Sequence, residues 1–426
     1  MPKPFDARPW APSRRLLMAC AVLFATVSFD AVAAPLTLPE ALTRAAAYDP
    51  SLPAGAARVQ AAEAGVRQAG VRPNPILGAD LENFAGSGDI GLADRSEATL
   101  YYEQTWERGG KREARVDVAR AELALARGRA VVRALDLMAE VQSAWVEALA
   151  AQAQVAVAEE RLAVARRLEG EVERRVRAAR DPLFSGERAR TATAQARIDR
   201  DQALAAAEQA RRLLASYWGG EPGFELNTSA LEAATAWTHG QFGETPDLRL
   251  LATERDLSQA RIAVERARAV QDPRWRAGLR HFGQSNDVAV IIGGSIPLGR
   301  NDTNRGGIER AQAERTAADA DLAAARTERE REIARIAARR EATLAEVARS
   351  DAEVVPSAAR AVTLVRDGFN RGGGAFTYLE VAEAQRAVIE ARSRRIELLK
   401  RFHLDGVRLD RLTGRHAALL SSAETR

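Results

Sequence analysis

From Lys111 to Asp181 the chain runs for 71 residues without a proline. Nothing else in the sequence limits the fold as strongly. As one continuous helix this stretch would extend about 105 Å at ~1.5 Å per residue. Its apolar residues fall into two helical stripes: Leu135, Met138, Gln142, Trp145 and Leu149, then Leu137, Val141, Ala144 and Ala148. One stripe suits a two-stranded coil, whereas two require neighbours on both sides, as in a bundle or a wall of helices. Composition supports the wall: 89 residues are Ala, only 5% are aromatic, and positive charge is almost all Arg, with Lys at positions 3, 111 and 400 alone. Ala is the best helix former and lets helices approach closely.

The long helix belongs to a plan that occurs twice. A helical pattern starts near Pro39-Glu40, resumes over 54–72, and stops at Pro73-Asn74-Pro75. Proline removes a donor and pushes the preceding residue out of helical geometry. Two alternating segments follow. Over 76–84, Leu77, Ala79 and Leu81 oppose Asp80 and Glu82; over 98–106, Leu100, Tyr102 and Trp106 oppose Tyr101, Glu103 and Thr105. A period of two marks strands between an apolar and a polar medium. After the long helix, Asp181-Pro182 makes a turn and a helix resumes from about Gly186 to Tyr217.

The second half repeats this order. A helix from Pro246 to Val270 meets Asp272-Pro273; Trp275, Ala277 and Leu279 then alternate with Arg274, Arg276 and Arg280 over 274–282. A further strand, 288–298, carries Val288, Val290 and Ile292. A polar passage leads into another long helix, in which Pro356 predicts a kink or break. Residues 369–374 predict a turn before a last helix from Phe376 to about Leu412. The stretch Arg115 to Glu122 has Gly307 to Glu314 as its counterpart, and Ala194-Gln195 has Ala384-Gln385. The plan divides the chain into a first repeat (34–218), a connecting segment (219–245), a second repeat (246–414) and a short tail (415–426).

Before the repeats stands an address. Arg8, Arg14 and Arg15 precede the apolar run Leu16 to Phe29, and Ala31-Val32-Ala33 offers small residues at signal-peptidase spacing. Residues 1–33 are therefore expected to be a cleaved signal peptide, the run being shorter than the ~20 residues a spanning helix needs. Leu17-Met18-Ala19-Cys20 loosely resembles a lipoprotein signal, but Met fits poorly and little apolar core precedes it. Cleavage would remove the one Cys and lower the net charge from +4 to +2. So small a charge gives no reason to expect a nucleic-acid partner. No later stretch of 18 apolar residues exists, which excludes a multi-helix inner-membrane transporter but says nothing against a β-barrel.

Four strands of membrane length do not close a barrel, which takes at least about eight, and open edges in lipid leave expensive unpaired backbone. Subunit association closes them: a dimer supplies eight and a trimer twelve, and the count alone leaves both open.

Specific motifs carry a resemblance. Arg72-Pro73-Asn74-Pro75, Gln104-Thr105-Trp106-Glu107-Arg108-Gly109-Gly110-Lys111-Arg112, Ser295-Ile296-Pro297-Leu298-Gly299 and the Gly-rich turn before Ala384-Gln385 occur in duplicated order. Together they resemble the TolC-like outer-membrane efflux family over the mature chain, from Leu36 to Gly414. Glu82-Asn83-Phe84-Ala85-Gly86-Ser87-Gly88 and the compact first half look most like its heavy-metal, cobalt-zinc-cadmium subgroup. The resemblance implies a mainly α fold with a small membrane β-barrel contribution. Three chains would build a 12-stranded barrel in the outer membrane of a Gram-negative bacterium, on a 12-helix periplasmic tunnel. The homotrimer would be the passive exit duct of a tripartite system, joined through a periplasmic adaptor to a proton-driven RND-type inner-membrane exporter. Divalent heavy metals are the expected cargo, with a multidrug or organic-solute pump as the alternative. An exported coiled-coil scaffold or an adaptor protein is the non-channel reading, but it leaves the paired strands and the duplication unexplained.

Within that picture Asp80, Glu82, Arg274, Arg276 and Arg280 belong on a water-filled lumen, since a charge facing lipid near the midplane costs several kcal/mol. Trp106 and Tyr101 are candidate interfacial residues. The two helix turns would lie at the periplasmic tip. Arg177, Arg180, Asp181, Asp367 and Arg371 are candidate gate charges; Leu183, Phe184, Ser185, Gly186, Phe369, Gly372, Gly373 and Gly374 are candidate adaptor contacts. No catalytic, cofactor or metal centre is expected. His239, His281, His403 and His416 are dispersed, and Gly372-Gly373-Gly374 lacks the Lys-Ser/Thr of a phosphate loop.

Overall fold

A computed structural model describes residues 35–86, 95–234, 245–299, 302–371 and 376–416. The expected signal peptide, with Cys20, lies outside the described residues, as do Gly372, Gly373, Gly374, His239 and most of the expected tail. Eight α-helices and four strands are described: α1 (Leu38–Tyr48), α2 (Ser51–Ala69), β1 (Ile76–Glu82), β2 (Glu97–Thr105), α3 (Lys111–Arg177), α4 (Leu183–Ser216), α5 (Pro246–Arg268), β3 (Arg274–Phe282), β4 (Asp287–Ser295), α6 (Arg305–Arg349), α7 (Val355–Arg371) and α8 (Tyr378–Thr413).

Local chemistry sets most of these boundaries. Both α1 and α8 open on a capping box. Thr37 with Glu40, and Thr377 with Glu380, satisfy each other's side chains and free amides. α5 opens on Thr245, whose hydroxyl accepts from the Leu248 amide, with Pro246 in the first turn. The proline-free stretch is one helix of 67 residues. It stops four residues before Asp181 because Ala179 takes a left-handed conformation at φ +53. The Arg180 amide then bonds the Arg175 carbonyl at 2.8 Å and the Ala179 amide bonds Val176 at 3.0 Å. This is a Schellman stop built on Ala instead of Gly.

The predicted stripe Leu137, Val141, Ala144 and Ala148 is buried in one cluster; of the other, Leu135, Gln142 and Leu149 are buried and Trp145 packs against that same cluster, while contact with α8 is made by a face not predicted. Val141, Ala144 and Ala148 meet Ala41 and Ala45 of α1 and Leu214 of α4. Ala150 and Val157 meet Ile389, Ile396 and Leu399 of α8. α3 also packs on α2 and α5, α6 packs on α5 and α8, and α7 chiefly on α8.

The four strands form one antiparallel sheet in the order β1-β2-β3-β4. Its central pairing, β2 with β3, joins the two repeats. β4 stops short of the predicted end at 298, since Pro297 has no amide to offer a ladder. Pro356 does not break its helix. The chain passes from α6 to α7 through a π-helical turn, Ser350–Val354.

Candidate functional sites: a two-faced sheet and the helix-turn tip

Register sorts the strand side chains onto two faces. Across the sheet, Leu77, Tyr102, Ala277 and Ile292 share one rung, and Ala79, Leu100, Leu279 and Val290 another. Leu81, Ala98, His281 and Val288 follow two residues on. Apart from Gln104 and His281, each one residue from a strand end, this face is apolar yet uncovered: Leu77 is 73% exposed, Val290 72% and Ile292 84%. Tyr102 and Trp275 pack against each other on it with ring centroids 5.8 Å apart. Trp106, just past β2 and 66% exposed, continues the same parity.

The opposite face carries all five predicted lumen charges. Glu82 and Glu97 stand directly opposite on β1 and β2, a placement that repels. Arg280 of β3 resolves it, donating Nη2 to Glu82 at 2.9 Å, Nη1 to Glu97 at 2.8 Å and Nε to the buried Thr99 hydroxyl at 2.9 Å. Arg274 pairs with Glu103 at 3.7 Å. Arg276 lies 5.5 Å from the Tyr101 ring, and Asp80 is exposed. Tyr101 itself sits between Gly78 and Gly278; a Cβ on Gly78 would collide with its ring. The glycines make room for an aromatic that covers them.

Where sheet meets helices, the repeats are tied across. Asp272, at the end of the second repeat's first helix, accepts from the Arg108 amide at 2.9 Å and from Lys111 Nζ at 2.6 Å. Arg108 and Lys111 belong to the motif quoted from the first repeat, and its partner across the molecule was not visible in it. Further along, Arg411 of α8 binds Asp136 of α3 at 2.6 Å and Asp247 of α5 at 2.7 and 3.0 Å. Burial works to raise the Asp247 pKa, but the Arg411 bonds and the Arg411 and Arg329 charges outweigh it and hold the carboxyl below its ordinary range.

The C-terminal ends of α3 and α7 and the N-terminal ends of α4 and α8 come together at the opposite end of α3 from the sheet. Val172 of α3, Ala189 of α4, Phe369 of α7 and Tyr378 and Val381 of α8 form a small core there. Beside it lies an open groove of about 770 Å³ lined by Arg180, Phe184, Arg188, Arg371 and Leu379. Of the predicted gate charges, Asp181 is half-buried and held by Arg175, a residue the sequence reading passed over. Arg177, Arg180, Asp367 and Arg371 are exposed and make no ion pair among the described residues. Of the predicted contacts, Leu183 and Phe184 are 82% and 61% exposed, whereas Ser185, Gly186 and Phe369 are buried beneath them. Arg175 offered no sequence signal: it is one arginine among many on α3.

Among the described residues no group of three or more His, Cys, Asp or Glu side chains is placed to hold a metal ion. No described helix is long and apolar enough to cross a membrane.

Comparison with known proteins gives concordant matches. Residues 41–220 match the family model described as outer membrane efflux protein. The chain is 29% identical to the cobalt-zinc-cadmium resistance protein CzcC of Cupriavidus metallidurans, over 90% of this chain and 91% of that one. It is 33% identical to the nickel-cobalt-cadmium resistance protein NccC of Alcaligenes xylosoxydans xylosoxydans, over 72% and 70%. Its fold is similar to that of the outer membrane protein VceC from Vibrio cholerae, with a TM-score of 0.73 at 21% identity, covering 88% of this chain and 96% of that one.

Proposed function

This chain belongs to the outer membrane efflux protein family, and from that premise we propose that it is the passive exit duct of a proton-driven tripartite system exporting divalent heavy-metal cations. It is an outer-membrane transport protein with a large α-helical periplasmic region, not an enzyme. The observation that carries the duct is the sheet: one face apolar and uncovered along all four strands, the other charged, with β1 and β4 left as unpaired edges. Apolar side chains belong against lipid and charges against water, and edges cannot remain open in hydrocarbon. Three copies joined edge to edge supply twelve strands around a lumen lined by Asp80, Glu82, Arg274, Arg276 and Arg280.

Residues 1–33 are removed on export, and the two repeats (34–218 and 246–414) each give two strands and the helices below them. The tip meets a periplasmic adaptor through Leu183, Phe184 and the glycines Gly372, Gly373 and Gly374, which lie outside the described residues, and the adaptor connects to an RND-type exporter. Arg175 and Asp181, with Arg177, Arg180, Asp367 and Arg371 around them, form the gate. Metal selection belongs to the exporter; the duct supplies a wide wet path. Heavy-metal cargo is favoured over organic solutes by the metal-resistance names of the relatives that match over most of their length.

Two measurements test this. Deleting the gene in its host is expected to lower zinc, cobalt or cadmium tolerance; a loss of drug tolerance instead would transfer the duct to an organic-solute pump. Leu279→Arg on the apolar face is expected to abolish outer-membrane assembly, a charge near midplane costing ~2–4 kcal/mol per subunit. Ala289→Arg on the charged face is expected to assemble. Equal tolerance of both substitutions would remove the membrane sheet from the model.

A further inference from the structure

Pro356 lacks an amide hydrogen, and in a regular α-helix its ring would press on the carbonyl of Ala352. The helix answers by widening. Between Ser350 and Val354 it forms a π turn, closed by the Val355 amide on the Ser350 carbonyl five residues back. A π turn inside an α-helix is a rare single-turn feature, found often at functional sites and at the points where helices kink.

One side chain grips this turn. Arg395 of α8 donates to both carboxylate oxygens of Asp351 in the turn, with the Nη2–Oδ2 distance 3.1 Å. The same guanidinium donates Nη1 and Nη2 to Glu232 at 2.8 and 2.6 Å. Glu232 ends a 3-10 turn, Thr228–Glu232, in the connection between the repeats. Arg395 is three-quarters buried, at 23% exposure, so its two carboxylate partners are held near each other by one cation.

The two sides of the turn differ. α6 buries Leu322, Ile333, Ile336 and Val347 along its length. α7, about 25 Å long at ~1.5 Å per residue, buries only Phe369 among its described residues, and Leu364 at its middle is 69% exposed. Its far end rests on Arg175, which bonds the Phe369 carbonyl. Next to the turn a cavity of about 580 Å³, lined by Val157, Leu231, Asp351, Val355 and Ile396, leaves room for the near end to shift.

We propose that the π turn Ser350–Val354 is the hinge on which α7 swings, and that Arg395 is its latch to the connecting segment. Without the cation, Asp351 and Glu232 are left as neighbouring like charges and push the turn off its seat. The swing frees the Phe369 end of α7, which is the part of the tip that Arg175 holds. The hinge itself does not depend on what the protein carries; only its effect on flow rests on the exit-duct reading.

Hydrogen exchange of the full-length protein in detergent tests the motion. In Arg395→Gln the amides of 355–371 are expected to exchange at least about tenfold faster while those of 311–345 keep their rate. Arg395→Lys is expected to fall between, because an ammonium cannot fork to two carboxylates. Pro356→Ala restores a donor and is expected to slow exchange over 350–356. Equal acceleration of 311–345 and 355–371, or no change in either, would overturn the hinge. Conductance in planar bilayers tests the consequence: a rise in Arg395→Gln connects hinge to gate. Faster exchange at unchanged conductance would keep the hinge and reject its part in gating.

Discussion

Arg175 and Asp181 close the α3–α4 turn on each other, Nε lying 3.0 Å from Oδ2 and Nη2 3.1 Å from Oδ1. The third nitrogen, Nη1, donates to the Phe369 carbonyl at 2.9 Å, and the guanidinium carbon stands 4.0 Å from the Phe369 ring centroid. A single planar fork thus joins α3, the turn after it and the end of α7.

Arg175→Ala is expected to release all three. Charge-assisted bonds in so sheltered a site are worth ~1.5–3 kcal/mol each, and they are not additive. A local loss of about 2 kcal/mol, roughly thirtyfold in the open population, is the expected scale. Single-channel recording should show longer or larger openings, and Arg175→Lys should recover only part of the loss. Unchanged openings in Arg175→Ala would exclude the pair from the gate.

Ala179 is a second test at the same turn. A left-handed conformation at φ +53 costs an L-residue ~1–2 kcal/mol and costs glycine almost nothing. Ala179→Gly is therefore expected to stabilise the α3 stop by about 1 kcal/mol, read as slower exchange at the Arg180 amide. Faster exchange there would mean that the stop is set by something other than this cap.

At the far end of α8, Arg411 should be needed for stability. Arg411→Met leaves Asp136 without this partner and Asp247 with only Arg329, at 3.7 Å, in a half-buried site, and a cost of ~2 kcal/mol is expected, below the range for fully buried pairs. Adding Asp247→Asn should give back part of it, a coupling that a denaturation midpoint in detergent can measure. Strict additivity of the two changes would deny the interaction.

His403 predicts the pH dependence. Burial lowers its pKa from the ordinary 6.5, and the nearby Arg340 charge adds to this, against the Leu231 carbonyl that its Nε2 meets at 2.8 Å. A histidine that resists protonation when folded binds more protons when unfolded. Its contribution is therefore complete above about pH 6.5 and declines as pH falls through that value toward the folded pKa. His403→Gln, which keeps a donor for Leu231, is expected to flatten the fall in melting temperature between about pH 6.5 and 5. The same slope in the variant would assign the pH dependence elsewhere.

On the sheet, Arg280→Gln uncovers the opposed Glu82 and Glu97. Reversal potentials in a salt gradient should then move toward greater cation preference, since net negative charge is added along the path. A shift toward anions, or none, would place Arg280 away from the conducting lumen.

Much of this architecture was legible along the chain. Alternation assigned Leu77, Leu100, Leu279 and Val290 to one face of the strands, and Asp80 and Arg280 to the other, because the side-chain period of two is a local property of extended backbone. Prolines marked the ends of α2 and α5, and the stripe through Val141, Ala144 and Ala148 marked a packed face of α3. The site was less legible. The sequence nominates Arg177 and Asp367 at the tip and not Arg175, since a helix of arginines and glutamates gives no local cue to which charge is folded inward.

What the sequence determined by itself was therefore periodicity: long alanine-rich helices, four amphipathic strands, a repeated order, and a resemblance carried by short motifs at their joints. Tertiary structure decided which groups separated along the chain share a contact. It set Arg280 between Glu82 and Glu97, 198 and 183 residues away, through the register of three strands. It carried Arg175 to Phe369, 194 residues on, through the packing of two helix pairs. It also set Arg395 of α8 and Glu232 of the connecting segment against the π turn that stands where Pro356 predicts a kink or break. Periodicity follows from bond geometry within a few residues; these contacts follow from how whole elements are seated against each other, which no short stretch of sequence encodes alone.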